Sequence, residues 1–476
     1  MNCAILLYRK QGKVITMYKV DFNKPCRVYF MGIGGISMSG LAEILLKEGF
    51  TVSGSDIKDS DITATLRACG ASINIGQVAE NIDDNIDLVV YTAAISKDNP
   101  EFLEVKKRNI PMLTRAELLG QIMSNYKYGI AISGTHGKTT TTSMMSHVLL
   151  QADTDPTISI GGMLDVIGGN IRVGQSDYFV TEACEYTNSY HAFNPYISII
   201  LNVDEDHLDF FSGIDEIVES FKTFAKKLPD DGLLVINGDM EHTSRITSEL
   251  NCNIVTFGLE SGNKYSAADV VFDDDGHPSY TLVIDGEKKD TIVLHATGIH
   301  NVVNSLSVIA VCDFLGIDMQ YVKAGLLACT SAKRRFERKG TTANGVMILD
   351  DYAHHPTEIA ATLTAAQNTP HNELWCVFQP HTYTRTYALL DSFADALSAS
   401  DHVLLADIYA AREKDTGMVS SKDLCEKINN AGGNAVYLGD FLSIENFIEK
   451  NCKKNDLLIT MGAGNVDSIG DDLLKK

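Results

Sequence analysis

Gly-Thr-His-Gly-Lys-Thr-Thr, at residues 134–140, is the stretch of this chain that most strongly constrains its fold. An apolar, β-branched run at residues 129–133 precedes it, and apolar residues at helical spacing follow it through residue 150. This order predicts a buried strand, a tight glycine turn and then a helix. Backbone N–H groups at such a turn and at the helix N-terminus bind phosphate oxygens. We therefore predict an ATP site at this turn.

The loop departs from the usual pattern Gly-x-x-x-x-Gly-Lys-[Ser/Thr], because Ile132 stands where the first glycine belongs. Gly134 lies only three residues before Gly137, so the loop is short. Lys138 would add positive charge beside the phosphates, and the Thr139 hydroxyl could ligate Mg²⁺. A glycine turn closed by a surface lysine is the alternative. The strand before the loop and the threonine run after it favour ATP.

Composition limits the class of protein. A chain of 476 residues predicts about three domains. A formal net charge of −22 argues against nucleic acid or an anionic membrane as partner, and no apolar run reaches the length of a membrane span. Ten cysteines without a C-x-x-C pair predict reduced thiols in a cytoplasmic protein. Residues 1–26 read as an N-terminal extension, and Met17 is an alternative start that would leave residues 1–16 outside the native chain.

The first domain is predicted over residues 27–120 and opens as a Rossmann-like β-α-β unit. A short β run ends at a glycine loop, Gly-Ile-Gly-Gly-Ile-Ser-Met-Ser-Gly at residues 32–40, and a helix and a second strand lead to Asp56. The loop is not Gly-x-Gly-x-x-Gly, so it predicts a diphosphate site without identifying the ligand. A nicotinamide cofactor remains an alternative, favoured by the position of Asp56.

The other two domains are predicted as further α/β units. Residues 121–330 would form a P-loop-type ATPase domain with a parallel sheet, and residues 264–297, with their Asp-Gly turn, a small antiparallel sheet. Residues 331–476, after a boundary near residues 330–332, would form a C-terminal Rossmann-like domain. The predicted fold class is therefore α/β with three domains.

Carboxylates at strand ends predict the metal site. Glu182 ends one strand, and the run Asp-Glu-Asp-His at residues 204–207 follows another, so both would converge on the ATP loop. Mg²⁺ prefers hard oxygen ligands, which suits Glu182 beside Thr139. His207 is a less natural ligand and could instead hydrogen-bond or cap. Glu185 could share the site, although taken alone it is expected to be exposed.

Two groups follow strands of the C-terminal domain. His354 lies in Asp-Tyr-Ala-His-His-Pro at residues 351–356 and would hydrogen-bond a substrate or phosphate, with a capping histidine as the alternative. Arg385 would point into the same cleft, where its guanidinium suits a carboxylate or phosphate. Its alternative is a surface arginine.

Together these motifs resemble the Mur ligase family, the ATP-dependent amide ligases that build the peptidoglycan stem peptide. The resemblance runs in order over about residues 27–470 and rests on residues 32–40, 134–140, 298–301, 334–336, 350–358 and 379–381. It is closest to the member that adds the first amino acid. It implies ligation of L-alanine to UDP-N-acetylmuramate through an acyl phosphate, with ATP and Mg²⁺, in a monomer or weak homodimer.

The resemblance also implies residue roles. Lys138, Glu182 and His207 would be catalytic, and Thr139, Glu182 and His207 would hold the metal. ATP would contact Gly134, Thr135, His136, Gly137, Lys138, Thr139, Thr140, Asn301, Arg335 and Asp351. The sugar nucleotide and the amino acid would contact Gly32, Gly34, Gly35, Ser37, Tyr352, His354 and Arg385.

Two departures and three alternatives accompany this resemblance. Thr382 stands where many members have arginine, and residues 183–186 read Ala-Cys-Glu-Tyr where others read Ala-Asp-Glu-Ser. Participation of a carbamylated lysine is left open, with Lys222 and Lys226 as candidates. The alternative functions are a ligase that adds a tripeptide to the same sugar nucleotide, a nicotinamide-dependent oxidoreductase and a non-catalytic nucleotide-binding regulator.

Overall fold

A computed structural model describes residues 5–10, 13–92, 94–208, 210–273, 276–329, 334–411 and 413–476, with residues 5–10 and 13–17 described for their backbone alone. Strands β1 (Ile5–Lys10) and β2 (Lys13–Tyr18) form an antiparallel pair. The described strands that follow form sheets of five, ten and six strands. The predicted α/β class with three units is confirmed. The expected boundary near residues 330–332 lies outside the described residues.

The first sheet is parallel and has a switch point at its centre. Its elements are β3 (Arg27–Met31), α1 (Ile36–Lys47), β4 (Thr51–Asp56), α2 (Asp61–Ala68), β5 (Ser72–Ile75), β6 (Leu88–Tyr91), α3 (Pro100–Arg108), β7 (Met112–Thr114) and α4 (Arg115–Met123). The strand order is β5-β4-β3-β6-β7. Because the chain moves outward in both directions from β3, the glycine loop that follows β3 lies where open parallel sheets bind ligands.

The second sheet has ten strands. Its elements are β8 (Tyr128–Ser133), α5 (Lys138–Gln151), β9 (Thr157–Leu164), β10 (Gly169–Arg172), β11 (Tyr178–Glu182), β12 (Ile197–Ile200), α6 (Ile214–Ala225), β13 (Leu233–Asn237), α7 (Thr243–Thr247), β14 (Asn253–Phe257), β15 (Tyr265–Phe272), β16 (Pro278–Ile284), β17 (Glu287–Val293), α8 (Ile299–Leu315) and α9 (Met319–Ala328). The strand order is β10-β9-β11-β8-β12-β13-β14-β15-β16-β17. Strands β8 and β11 to β14 pair in parallel, which sends the ends of β8, β11 and β12 to one edge.

The antiparallel strands predicted within residues 264–297 are confirmed, and they extend the second sheet. β15, β16 and β17 pair antiparallel, and β16 turns into β17 through Asp285 and Gly286. Both turn residues have positive φ, 51° and 79°, as a two-residue hairpin turn requires. β15 joins β14 through the pair Phe257 and Tyr265. The antiparallel strands are therefore an extension of the edge of the central sheet.

The third sheet forms the C-terminal unit. Its elements are β18 (Glu337–Thr341), β19 (Met347–Asp351), α10 (Pro356–Gln367), β20 (Leu374–Phe378), α11 (Tyr383–Ala388), α12 (Leu390–Leu397), β21 (His402–Ala406), α13 (Ser421–Asn430), β22 (Ala435–Gly439), α14 (Phe441–Asn451), β23 (Leu457–Met461) and α15 (Asp467–Lys475). The strand order is β18-β19-β23-β20-β21-β22, with β18 antiparallel and the others parallel. The ends of β19 and β20 carry the residues predicted to face the cleft.

The first and second units share one hydrophobic core, whereas the C-terminal unit has its own. Phe30 and Leu118 of the first unit belong to the same buried cluster as Phe179 and Phe221 of the second. Two other clusters contain side chains of the C-terminal unit alone. The expected boundary at residues 120 and 121 falls inside α4, which runs to Met123. This helix packs against elements of both units.

Among the helices of the described residues, none is both long enough and apolar enough to cross a membrane.

We expect Gly120→Ala to destabilise the junction between the first two units. An added Cβ would lie 2.1 Å from Ala192 O, a backbone atom that cannot rotate away. Alanine favours a helix over glycine by about 1 kcal/mol, but overpacking of this kind costs about 1–3 kcal/mol. Thermal unfolding should therefore show a lower midpoint. Gly262→Ala, where no atom lies within 4 Å of the added Cβ, is the matched control. Equal midpoints for the two variants would contradict this account.

Candidate active site

The phosphate loop adopts a backbone that only glycine accepts readily. Gly134 has φ 141° and Gly137 has φ 83°. A Cβ on Gly134 would lie 3.0 Å from the Leu201 Cβ. Helix α5 begins at Lys138 directly after Gly137, and no side chain caps its first turn. The predicted strand, glycine turn and helix are thus present, with the helix N-terminus open to an anion.

Lys138 forms a buried ion pair with Glu185. Its Nζ lies 3.0 Å and 3.2 Å from the two carboxylate oxygens, and it also donates to Gly134 O and to Thr135 O. Burial alone would lower the pKa of Lys138, but Glu185 holds it above its usual value. Burial would raise the pKa of Glu185, and Lys138 lowers it. Glu185 is only 2% exposed, so the prediction of an exposed carboxylate is wrong.

A cavity of about 180 Å³ lies beside the phosphate loop, between the second and third units. It gathers most of the residues predicted to contact ATP. Its lining includes His136, Gly137, Thr140, Asn301, Arg335 and Asp351, together with Asn202, Asp204, His300, Asn304 and Glu358. Gly134, Thr135, Lys138 and Thr139 belong to the same loop but are not part of this lining.

Helix α8 supports the cavity through two buried asparagines. Asn304 Nδ2 donates to Asn301 Oδ1 at 3.0 Å, and Asn301 Nδ2 donates to Thr297 O at 2.8 Å. A Cβ on Gly137 would lie 3.1 Å from Asn304 Oδ1. The two asparagines share one helix face, and that face lies against the phosphate loop.

Asp351 and Arg335 form the C-terminal wall of this cavity. Both Asp351 carboxylate oxygens accept backbone N–H groups, from Phe336 at 2.7 Å and from Ala353 at 2.7 Å. Burial raises the pKa of Asp351 to about 6, although Arg335 and these donors oppose the shift. The Arg335 guanidinium lies 5.2 Å from the centre of the Tyr352 ring. Asp351 therefore stands at the cavity with both oxygens already bonded.

His136 of the phosphate loop bridges to the C-terminal unit. Its Nδ1 lies 3.1 Å from Glu358 Oε1, and its Nε2 lies 3.3 Å from Asp204 Oδ2. Burial alone would lower the pKa of His136, but Glu358 and Asp204 raise it to about 9. Burial would raise the pKa of Glu358, and His354 and His136 hold it well below its usual value. The result is a charged bridge between two units.

Sequence reasoning missed Glu358 as a functional residue. His354 Nδ1 lies 3.2 Å from the Glu358 carboxylate, so one carboxylate joins two histidines. His355 is the residue that caps α10, accepting from Thr357 N, and its Nε2 lies 3.0 Å from Glu205 O. The sequence signal that could have identified Glu358 is its position as a carboxylate in the first turn of a helix that directly follows a pair of histidines.

A second cavity of about 400 Å³ contains Arg385 and His207. Arg385 Nη2 and Nε bind Asp206 Oδ1 at 2.9 Å and 3.1 Å, and Nη1 lies 3.3 Å from His381 Nδ1. Burial would raise the pKa of Asp206, but Arg385 holds it below its usual range. Arg385 therefore lies in the predicted cleft. The centre of the His354 ring lies 6.0 Å from that of His381, which lines this cavity. His354 therefore lies beside the cavity.

The three predicted metal ligands contact different neighbours. Glu182 Oε1 accepts from Gly161 N at 2.7 Å. A Cβ on Gly161 would lie 3.0 Å from the Glu182 carboxylate, and a Cβ on Gly162 would lie 3.4 Å from the Thr139 methyl group. A side chain at either glycine would therefore occupy the space next to Glu182 or Thr139. His207 Nε2 lies 3.6 Å from Glu185 Oε1 instead.

The two lysines that were candidates for carbamylation pair with an exposed carboxylate. The Nζ atoms of Lys222 and Lys226 lie 3.6 Å and 2.8 Å from Glu249 Oε2.

In the first unit, Asp56 holds the glycine loop in place. Gly34 N donates to Asp56 Oδ2 at 2.8 Å, and Gly32 N donates to Ser55 O at 2.9 Å. Ser37, in the first turn of α1, accepts from Arg115 Nη1 at 3.1 Å. Arg115 pairs with no carboxylate among the described residues, and sequence reasoning missed it. Asp56 thus stabilises the loop, together with Gly35, whose N–H bonds Gly32 O.

Three family descriptions match consecutive parts of the chain. "Mur ligase family, catalytic domain" matches residues 27–127, "Mur ligase middle domain" matches residues 132–312, and "Mur ligase, glutamate ligase domain" matches residues 334–464. The matches follow the order of the three sheets.

Individual relatives are similar over nearly their whole length. The UDP-N-acetylmuramate–L-alanine ligase of Lachnospira eligens is 57% identical over 460 residues, covering 96% of this chain and 100% of the relative. The crystal structure of UDP-N-acetylmuramate–alanine ligase MurC from Thermotoga maritima is 29% identical with a TM-score of 0.76, covering 94% of this chain and 98% of that one. A murein peptide ligase from Psychrobacter arcticus is 25% identical with a TM-score of 0.65, covering 94% and 98%.

We expect Glu358→Gln to lower the pKa of His136 from about 9 by about one to two units, because an opposite charge leaves. Because the pKa of His136 is raised in the folded protein, its protonated ring stabilises the fold. This stabilisation is complete below pH 6.5 and is lost as the pH rises through about 9. The variant should lose most of that pH dependence of the thermal midpoint, because its His136 pKa then lies closer to the unfolded value. NMR titration of the His136 ring measures the shift, with Glu249→Gln as the control. An unchanged His136 pKa would contradict the bridge.

Proposed function

Because the chain belongs to the Mur ligase family, we propose that it joins L-alanine to UDP-N-acetylmuramate while ATP is cleaved to ADP and phosphate. This reaction would serve peptidoglycan synthesis. The observation that carries the proposal is the 57% identity over the complete length of a UDP-N-acetylmuramate–L-alanine ligase. An intact phosphate loop, whose Lys138 pairs with the buried Glu185, supports the same activity.

The cavity beside the phosphate loop is the proposed ATP site. The backbone N–H groups of residues 134–140 would hold the phosphates at the open start of α5. Asn301 would lie against the adenine, Asp351 near the ribose, and Arg335 near a phosphate. Lys138 now donates to two loop carbonyls, and phosphate oxygens would replace those acceptors. Its charge then meets the negative charge that develops on the transferring phosphoryl group.

The residues beside the loop fit Mg²⁺. Gly161 and Gly162 leave open the space that side chains would fill next to Glu182 and Thr139. A carboxylate and a hydroxyl are hard oxygen donors of the kind Mg²⁺ takes beside nucleotide phosphates. We propose that Thr139 and Glu182 hold this ion and that His207 supports a second position. When bound, Mg²⁺ would neutralise phosphate charge.

The remaining contacts divide between the other units. We propose that the glycine loop, through Gly32, Gly34, Gly35 and Ser37, holds the UDP diphosphate. In the second cavity, the partly buried Arg385 would bind an incoming carboxylate, and in this structure it pairs with Asp206. His354 and Tyr352 would complete the amino-acid and muramate end. We place the first boundary after α4 and keep the C-terminal unit at residues 331–476.

The reaction would proceed in two steps. The muramate carboxylate attacks the γ-phosphorus of ATP, and ADP leaves, which gives an acyl phosphate. The amine of L-alanine then attacks the acyl carbon, loses a proton, and phosphate leaves through a tetrahedral intermediate. The chain contributes position and charge: Lys138 faces the phosphoryl group, and the unit junction excludes water from the reactive acyl phosphate.

The alternatives differ in support. The nicotinamide alternative lacks support, because residues 27–127 match the Mur ligase family and Asp56 is bonded to the glycine loop. A tripeptide ligase remains the rival, since a murein peptide ligase is also similar, at 25% identity. We propose that the enzyme works in the cytoplasm, where UDP-sugars and ATP are made and thiols stay reduced, as a monomer or weak homodimer.

The decisive test is ADP release by the purified enzyme with UDP-N-acetylmuramate, ATP and Mg²⁺. The amino-acid arm offers L-alanine, glycine, L-serine or the tripeptide L-alanyl-γ-D-glutamyl-diaminopimelate at equal concentrations. We expect turnover to be fastest with L-alanine, with the product mass increased by one alanine residue. Turnover with the tripeptide alone would overturn the proposal in favour of the rival.

We expect Lys138→Ala to reduce turnover by about a hundred- to a thousand-fold or more, because it removes charge that is needed at the transferring phosphate. The variant should unfold at a lower temperature, since Glu185 is left buried without its partner. It should still bind UDP-N-acetylmuramate in the first unit, as calorimetry can show. Lys288→Ala, at an exposed lysine, is the control. Retention of more than about a tenth of the activity would exclude this role.

We expect Glu182→Gln to raise the Mg²⁺ concentration needed for half-maximal turnover steeply, because an amide oxygen is a weaker ligand than a carboxylate. His207→Ala should raise it more mildly. The measurement is turnover against free Mg²⁺ at saturating substrates. Glu249→Gln, an exposed carboxylate, should leave the curve in place. Identical curves for all three variants and the native enzyme would place the metal elsewhere.

A further inference from the structure

A thiol, a carboxylate and an imidazole meet beside the phosphate loop. The ligand atoms of Cys184, Glu185 and His207 all lie within 4.8 Å of one another, and they are the only described group of three or more such side chains placed this way. Glu185 is 2% exposed, and His207 Nε2 lies 3.6 Å from Glu185 Oε1. Cys184 and Glu185 follow β11, and His207 follows β12. The set therefore comes from two strands on either side of β8.

The spacing suits a tetrahedral metal ion. Zinc lies about 2.3 Å from thiolate sulfur and about 2.0 Å from imidazole nitrogen or carboxylate oxygen, which puts tetrahedral donors about 3.3–3.6 Å apart. The His207 and Glu185 donors already have nearly this separation. The third donor, the Cys184 sulfur, lies within 4.8 Å of the other two, and rotation of its side chain would bring it to this distance. Three protein ligands leave a fourth position open, so the ion would be exchangeable.

The donor chemistry favours a different ion from the one the reaction uses. Mg²⁺ takes hard oxygen donors, whereas a thiolate with an imidazole selects zinc and other thiophilic cations. Glu182, the proposed Mg²⁺ ligand, is bonded instead to Gly161 and is not part of this group. The thiol cluster is thus distinct in composition from the oxygen site, although His207 belongs to both.

A bound divalent cation would change which charges pair at the cluster. Lys138 now supplies the positive partner of Glu185, at 3.0 Å. A divalent cation would take over that role, with one negative charge from Glu185 and one from the Cys184 thiolate. The thiol proton leaves to solvent as the metal–sulfur bond forms, with no change of oxidation state. Lys138 and His207 would then both lose the partners they have in this structure.

We propose that Cys184, Glu185 and His207 form a binding site for a thiophilic divalent cation of the zinc class, and that its occupancy blocks catalysis. The binding stands on the cluster alone. The inhibition rests on the proposed function, because it works by withdrawing His207 and the partner of Lys138 from the ligase site.

Cadmium binding to the full chain tests the site directly. Cd²⁺ thiolate bonds absorb in the ultraviolet, so we expect this band to saturate at one equivalent of Cd²⁺ and to fall when Zn²⁺ competes. Cys184→Ser should weaken binding at least about tenfold, because the soft donor is lost. Cys69→Ser, at an exposed cysteine, should leave the titration and the turnover unchanged. Absence of the band, or its persistence in Cys184→Ser, would overturn the site.

Turnover with zinc supplies the second readout. Each enzyme is compared with its own zinc-free rate, so a change in basal activity does not affect the result. We expect Zn²⁺ to inhibit the native enzyme and Cys69→Ser equally, a chelator to restore the rate, and Cys184→Asp to need at least about tenfold more Zn²⁺. Equal inhibition of Cys184→Asp would overturn the proposed block. A cadmium band in a chain without ligase turnover would leave the site standing and remove the proposed function.

Discussion

The buried ion pair between Lys138 and Glu185 is the constraint on which the site depends. A charge removed from water must be paired, and breaking such a pair by removing one partner costs about 3–5 kcal/mol. Lys138 starts the helix after β8, and Glu185 follows β11, so the pair fixes the phosphate loop against a neighbouring strand. The same contact sets the position of Cys184 and of His207, which lies 3.6 Å from Glu185. Loop geometry and cluster geometry are therefore coupled.

The C-terminal unit is joined to this site by polar contacts. The hydrophobic clusters of the described residues place its side chains in cores of their own, while the first two units share one. His136 with Glu358, and Asp206 with Arg385, connect it to the central unit. Both cavities lie along these contacts. Charged contacts can exchange partners with phosphate or carboxylate groups, whereas a shared apolar core cannot, so ligand binding and movement of this unit should be linked.

Sequence patterns were sufficient where one local feature decides the structure. The glycine loop and the antiparallel strands follow from turn chemistry and periodicity. Arg385 reaches the cleft because parallel strands send their ends to one edge. Glu185 was misjudged because its burial depends on Lys138, which lies 47 residues away. The expected boundary at residue 120 falls inside α4, a helix that packs against both units.

By itself, the sequence determined the class of fold, the phosphate loop and the Mur ligase family, because these depend on short motifs and on strand–helix alternation. Only the tertiary structure decided which charged groups form pairs and which potential metal ligands lie together. Glu358 meets His136 from another unit, Asp206 meets Arg385 across 179 residues of chain, and Cys184 approaches His207 from a different strand. The physical reason is that ion pairs and metal-ligand sets act over a few ångströms in space. Spacing along the chain does not encode that distance once three sheets pack together.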